Sequence, residues 1–294
     1  MSVAAQWLQP LSAAWVDTAL AGGIGTAVIR GAVPPPVAAS LFRYSRWIIA
    51  LLGIGLAAYF SASTVAMTDT DAAGFPGAAW LVLTRSDYGA MVWVALAAWI
   101  ILAAAVGPRA ARATPRSRYG LLYIPGLIAF SYARAATGHA ADDGFFSAAV
   151  LVHTIHILSA GAWAGSVGIC ALSIPTWHTW STRQRGALAH RLSKMATIAV
   201  PTVVATGLVN AVRTLGPSAH PWDTTYTKIL ATKVALAVVA VALGSWDRWS
   251  WMKRLDKGED AGARGFRSVL IVEAIVLVAV LILAARLGTT MLPR

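Results

Sequence analysis

Long apolar runs, broken by short polar and charged connections, set the rhythm of this chain. Trp47–Ser63, Ala90–Val106, Ile229–Leu243 and Val269–Ala285 are the clearest of them. A hydrocarbon core of roughly 30 Å takes about 20 helical residues to cross. On that measure the pattern predicts spans at 11–30, 44–66, 88–107, 119–135, 146–172, 194–214, 229–247 and 268–287. The first is diluted by Asp17 and several glycines. The fourth is short and holds Pro125, which a membrane helix tolerates where a neighbour meets the freed carbonyl. Gly53, Gly55, Gly161 and Gly165 are small residues of the kind that let membrane helices pack closely. The expected fold class is therefore all-α: a polytopic transmembrane bundle of about eight helices, forming a single integral membrane domain over 1–294. The stretch 255–265 is expected as a polar, mobile loop, and no internal repeat is evident.

Composition agrees with lipid as the solvent. Hydrophobic residues make up 57% of the chain and charged residues only 12%, against roughly 25% charged in an ordinary soluble domain. A net charge of +12 would suggest nucleic acid in a soluble protein, but the charge is confined to alternate connections. Arg30, Arg43 and Arg46 flank the first; Arg109, Arg112, Arg116 and Arg118 the third; Arg183, Arg185, Arg191 and Lys194 the fifth; and Arg248, Lys253, Arg254, Lys257, Arg264 and Arg267 the seventh. The intervening connections carry Asp69, Asp71 and Asp87, then Asp142 and Asp143, then Asp223. The positive-inside rule places the basic set in the cytoplasm and both termini on the outer side of a bacterial inner membrane. Topology thus accounts for the charge without a nucleic-acid partner. The first apolar segment is expected to be retained, since no small-residue cleavage site follows it. Thirteen tryptophans, among them Trp177, Trp180, Trp246, Trp249 and Trp251 beside basic connections, suit interfacial anchoring.

Histidine placement brings in chemistry. His178 and His190 fall on the basic side; His139, His153, His156 and His220 share the outer layer. His153 and His156 stand three residues apart on a predicted helix and so share a face. Two imidazoles on one face can place nitrogens around one ion. They can equally serve as hydrogen-bonded packing between helices, or in proton or cofactor duty, and spacing alone leaves these open. His139, in Thr137-Gly-His-Ala140, precedes this helix in a turn that could fold back as a third donor, with Asp142 and Asp143 nearby to neutralise a cation.

Other polar residues occupy the same outer level: Asp17 in the first span, Asn210 in the sixth and Lys233 in the seventh. Ionisable groups inside a membrane usually face the bundle interior or a wet cavity. Lys233 can pair with Asp17 or serve a substrate. Met67 and Met91 near the outer boundary would suit Cu(I), although packing is the commoner explanation of each, since no Met-x-x-Met run is present. On the inner side, Glu273 is read as an exit ligand, a proton acceptor or a partner of Arg248 or Arg191. Trp163 lies two to three turns beyond the histidines, as a steric plug or as packing.

Enzymatic signatures are missing: there is no phosphate-binding loop, dinucleotide fingerprint, HExxH or serine triad motif. With Cys170 the lone cysteine, no internal disulfide, zinc knuckle or CxxC copper motif is available. A membrane haem normally takes axial ligands from facing helices, and His153 and His156 share one helix and one face. A haem held by one of them with a loop histidine stays as a rival.

Several ordered fragments resemble the bacterial copper resistance protein D family of inner-membrane proteins. They are Thr137-Gly-His139-Ala with Leu151-Val-His-Thr-Ile-His-Ile-Leu-Ser-Ala-Gly-Ala-Trp-Ala-Gly165; Arg191-Leu-Ser-Lys194 leading to Thr206-Gly-Leu-Val-Asn210-Ala; Thr224-Thr-Tyr226 to Lys233 and on to Gly244-Ser-Trp-Asp-Arg248; and Val272-Glu273 to Leu287-Gly-Thr-Thr290 with Pro293. The resemblance implies copper handling at the inner membrane, inward movement of a copper ion and a periplasmic copper-binding protein as partner. It also implies a place for His139, His153 and His156 as metal ligands, with Asn210, Tyr226, Lys233 and Glu273 as recurrent polar positions. Thr227 departs from the family's usual Gly after Tyr226. No methionine-rich external segment occurs, so copper is expected to be delivered by another protein. The rival functions are a haem-binding redox membrane protein and a non-transporting factor that delivers copper for assembly.

Overall fold

The computed structural model describes residues 3–30, 33–107, 119–215 and 224–290. In chain order the helices are α1 (Val3–Ile29), α2 (Pro35–Thr68), α3 (Phe75–Arg85), α4 (Asp87–Val106), α5 (Ile124–Ala135), α6 (Ala148–Ser173), α7 (Thr182–Leu215), α8 (Thr225–Trp246), α9 (Met252–Asp256) and α10 (Asp260–Gly288). Seven helical stretches are long and apolar enough to cross a membrane, and Leu121–Ala135 is a shorter apolar helix. The protein is an all-α, polytopic helical bundle.

Local chemistry sets the helix boundaries. The hydroxyls of Ser86, Ser147 and Thr224 accept from the backbone N–H of Gly89, Val150 and Thr227, at 3.0, 3.3 and 3.2 Å. Each satisfies one of the donors left over in the first turn of α4, α6 and α8. α2 ends where Asp69 turns left-handed, with φ 49°. Pro125 falls in the first turn of α5, where its missing N–H breaks no helical bond; a π-helical turn, Tyr119–Tyr123, leads into it.

Three features differ from the sequence expectation. The second connection holds α3, whose Trp80 and Leu81 are exposed. At 11 residues it is too short to register as a span. The stretch expected as a mobile loop, 255–265, is the end of α9, a tight turn over 257–259 and the first turns of α10. Gly258 adopts φ 76° there, and Gly262 at the start of α10 packs directly on the backbone of Arg254 and Leu255. The sixth predicted span starts late, since α7 runs from Thr182: its first three turns are amphipathic rather than apolar.

α1 is the central post. It packs against α2, α5, α6 and α10. Two-thirds of its spanning window is buried, against 6% for α7 and for the stretch beginning with α8. α1 and α6 touch backbone to backbone: a Cβ on Gly165 would strike the Ala21 carbonyl, and one on Gly25 would strike Gly165 itself. Only glycine permits that approach. To one side lies a core of Leu20, Leu52, Leu102, Tyr123 and Phe130 from α1, α2, α4 and the α5 region. To the other lies a core of Ile29, Trp163, Cys170, Leu188, Phe266 and Leu270. Exposed Leu51, Ile54, Ile100, Leu208, Val212, Val238 and Ile275 cover the outside, as a lipid-facing surface requires.

Candidate functional site

α6 and α7 run side by side and bring four polar side chains into register. His156 Nδ1 lies 3.0 Å from Thr206 Oγ1, and His153 Nδ1 lies 3.2 Å from Asn210 Nδ2. The spacing follows from antiparallel helices: three residues back along α6 correspond to four forward along α7. The imidazoles are nearly parallel, 9° between planes and 6.1 Å between centroids. Gly207 gives the ring room, since a Cβ there would sit 3.3 Å from His156 Cε1.

The hydrogen-bond pattern favours Nδ1 as the nitrogen of His156 that carries the proton. Thr206 Oγ1 has one hydrogen, and its shortest acceptor is the Thr202 carbonyl at 2.6 Å. The hydroxyl therefore accepts from His156 Nδ1–H, and Nε2 is left as the lone-pair nitrogen. This is the arrangement in which a metal-binding histidine is oriented by a neighbour on its far nitrogen. At His153 the amide N–H of Asn210 donates to Nδ1, which places the ring hydrogen on Nε2. Turning the amide over would present its carbonyl instead and release Nε2 as a lone pair. Lys233 of α8 lies within electrostatic reach of both rings, and Arg134 and Arg213 within reach of His153.

The other sequence candidates separate into distinct places. His139 sits in a 3₁₀ turn at the mouth of the bundle, 43% exposed, with Nδ1 3.9 Å from Asp142. Asp143 binds Arg213 of α7 at 2.6 Å. Among the described residues no three His, Cys, Asp or Glu side chains gather closely enough to hold a metal ion, so His139 does not stand with the pair as a third donor here. Asp17 is paired with Arg134 of α5, through Oδ1 to Nε at 2.8 Å and Oδ2 to Nη2 at 3.1 Å, rather than with Lys233. Met67 is exposed; Met91 is buried in a small core with Ala135, Ala136 and Val150. Tyr226 is buried at the start of α8. His220 lies outside the described residues.

Glu273 takes neither arginine. Its Oε1 accepts from Trp163 Nε1 at 3.2 Å, while Arg248 reaches Thr197 and Arg191 reaches the Val28 carbonyl. Trp163 is 4% exposed and so is held by both packing and a hydrogen bond. His190, on the basic side, binds Asp256 at 3.1 Å. Sequence reasoning had no assigned role for Thr206, Arg134 or Arg213. The spacing of Thr206 and Asn210 is the signal that would have found the first, because it matches the histidine spacing on an antiparallel neighbour.

Comparison with known proteins places this geometry in context. Residues 186–287 match the family model described as Copper resistance protein D. That segment runs from within α7 to α10 and includes Thr206, Asn210, Lys233 and Glu273. The chain is also similar to the copper transport protein CutJ of Bacillus subtilis, 28% identical over 161 residues. The aligned part is 53% of this chain but only 30% of the relative, so the chain spans less than a third of that protein's length. No solved structure matches. The helices that back and flank the histidine pair thus carry a family-level match to copper resistance protein D, over the C-terminal part of this chain.

Proposed function

We propose that this protein binds copper within the inner membrane and carries it inward, with His153 and His156 as the holding pair. The observation that carries the reading is the pair itself: two imidazoles one turn apart on α6, each braced at Nδ1 by α7, in a chain with copper-protein likeness across α7 to α10. Imidazole accepts both common oxidation states of copper. Closing on one ion asks the parallel rings to turn toward each other, because a metal–imidazole bond is about 2 Å long. Asn210 then presents its carbonyl to His153, as Thr206 already presents its oxygen to His156.

In this reading Leu121–Ala135 counts as an eighth span, the basic connections face the cytoplasm and both termini lie outside. The mouth carrying His139, Asp142 and Asp143 then opens to the periplasm, where a copper-binding protein releases the ion. His139 acts in capture, the histidine pair in holding, and Trp163 narrows the path below them. Inward movement of a cation is favoured by roughly 2.3 kcal/mol per charge per 100 mV, so the reading requires no nucleotide hydrolysis.

Copper uptake into proteoliposomes tests this directly, with wild type beside a His153→Ala/His156→Ala variant. Wild type should bind copper and accumulate it; the variant should do neither. Binding without uptake would favour a delivery or assembly role. A Soret band in the purified protein that disappears with the histidines would replace copper by haem. Equal copper binding in both proteins would remove the site.

A further inference from the structure

A second polar cluster lies away from the histidines, where α6, α8 and α10 meet. Glu273 of α10 is 5% exposed and is held through Oε1 by Trp163 of α6. α8 presses on the same carboxyl, since a Cβ on Gly244 would lie 3.2 Å from Glu273 Oε1. Asp247 follows Gly244 by three residues, on the same side of the helical chain. It is 4% exposed, and its electrostatic neighbour is Glu273. Asp247 Oδ1 is fully enclosed and has no hydrogen-bond partner. On α6, Cys170 interacts electrostatically with Glu273, and between Trp163 and Cys170 on the same stripe lies Ser166, whose enclosed hydroxyl also lacks a partner.

Neither carboxyl forms an ion pair with a Lys, Arg or His among the described residues. Arg248, next to Asp247, reaches across to Thr197 of α7 at 3.3 Å. Arg191 of α7 is turned to the Val28 carbonyl, and Arg254 of α9 covers the Trp251 ring. Two neighbouring carboxylates without a cation are not sustained as a double anion in a protein interior. An enclosed carboxylate oxygen with no donor is unfavourable for the same reason, whereas a protonated carboxyl is neutral and itself a donor.

We propose that Asp247 and Glu273 together form a proton-binding site that holds one exchangeable proton. The proton resides on Asp247, because Glu273 already has Trp163 as a donor. Trp163 stands seven residues beyond His156 on one stripe of α6, about 10 Å along the helix. The proton site therefore sits one step inward of the histidine pair in the proposed orientation, where a coupled ion would be exchanged as cargo passes. The proton site itself rests on the fold and not on the identity of the cargo.

Infrared spectroscopy of the metal-free protein in lipid nanodiscs tests it. At neutral pH the wild type should show a carboxylic acid C=O band that moves to lower frequency in D2O. Asp247→Asn should abolish the band, and Glu273→Gln, which removes the neighbouring charge, should let it titrate away at lower pH than in wild type. No such band in wild type at neutral pH overturns the proposal, and that result requires no variant to fold. A band untouched by Asp247→Asn overturns it as well. Failure of copper binding at the histidines would leave the band in place, so the two readings fail separately.

Discussion

Asp17 and Arg134 meet between α1 and α5, while His153 and His156 meet α7 from α6. Both pairs lie within apolar helices, yet they dispose of their polarity differently. The first pair is closed: a two-pronged ion pair, 12% and 16% exposed, with the guanidinium also 5.1 Å from the Tyr59 ring. Its charges neutralise each other, and no unmet valence is left to offer a ligand. The second pair spends Nδ1 of each ring on α7, which leaves Nε2 of His156 as a lone pair and Nε2 of His153 as one once the Asn210 amide is turned over. Burial and polarity alone therefore do not separate the two pairs; what separates them, and what the proposed function uses, is a nitrogen left over after structural bonds are made.

That contrast can be broken by mutation, starting from the largest effect. Replacing both His153 and His156 with alanine should reduce copper uptake in proteoliposomes to background, while the thermal unfolding profile stays close to wild type. Arg134→Ala should do the reverse. It strands Asp17 without its cation, a loss of about 3–5 kcal/mol for a buried pair, read as a lowered midpoint in thermal unfolding, with copper binding kept in whatever protein remains folded. If Arg134→Ala were neutral for stability and fatal for binding, the two centres would have exchanged roles.

Smaller changes sharpen the same comparison. Thr206→Val keeps the shape and removes the oxygen that orients His156; supporting residues of this kind are typically worth about 10–100-fold in metal affinity. Asn210→Leu should act similarly through His153, and isothermal titration with copper would read both. Weakest of all should be His139→Ala. Its contact with Asp142 is long and exposed, so stability should shift by less than about 0.5 kcal/mol. Uptake should slow only at low copper concentration. Complete loss of binding in His139→Ala would bring that residue into the holding site.

The long apolar helices were legible because apolar runs of membrane length have one common explanation, and the bounds of α4 and α6 lie within one or two residues of the pattern. α3 was not, because 11 residues with Pro76 and Gly77 look like a loop to any criterion based on span length. The helix ends within 255–265 escaped for a related reason: the polarity of that stretch says nothing about helix formation when the surface faces water. Within the site, the histidine pair was readable from spacing on one helix. The partners were not, because Arg134 and Asp17 are 117 residues apart and pairing at that separation is decided by which helices pack. The sequence set Asp17 against Lys233 and Glu273 against an arginine, by charge alone. The fold chose Arg134 for the first and an indole N–H for the second. Asp247 was passed over inside a run of tryptophans that read as an interfacial anchor.

The glycine contact between α1 and α6 has a bearing on motion. With Gly165 seated on the Ala21 carbonyl, α1 and α6 meet at backbone distance over a broad contact, which makes the two the natural stator of the bundle. The histidines ride on that stator, whereas their braces ride on α7, which is hardly enclosed by the rest of the bundle. If copper passes as proposed, the rocking that admits and releases it falls to the outer helices, with the α6 backbone as the reference against which the braces of the histidines swing.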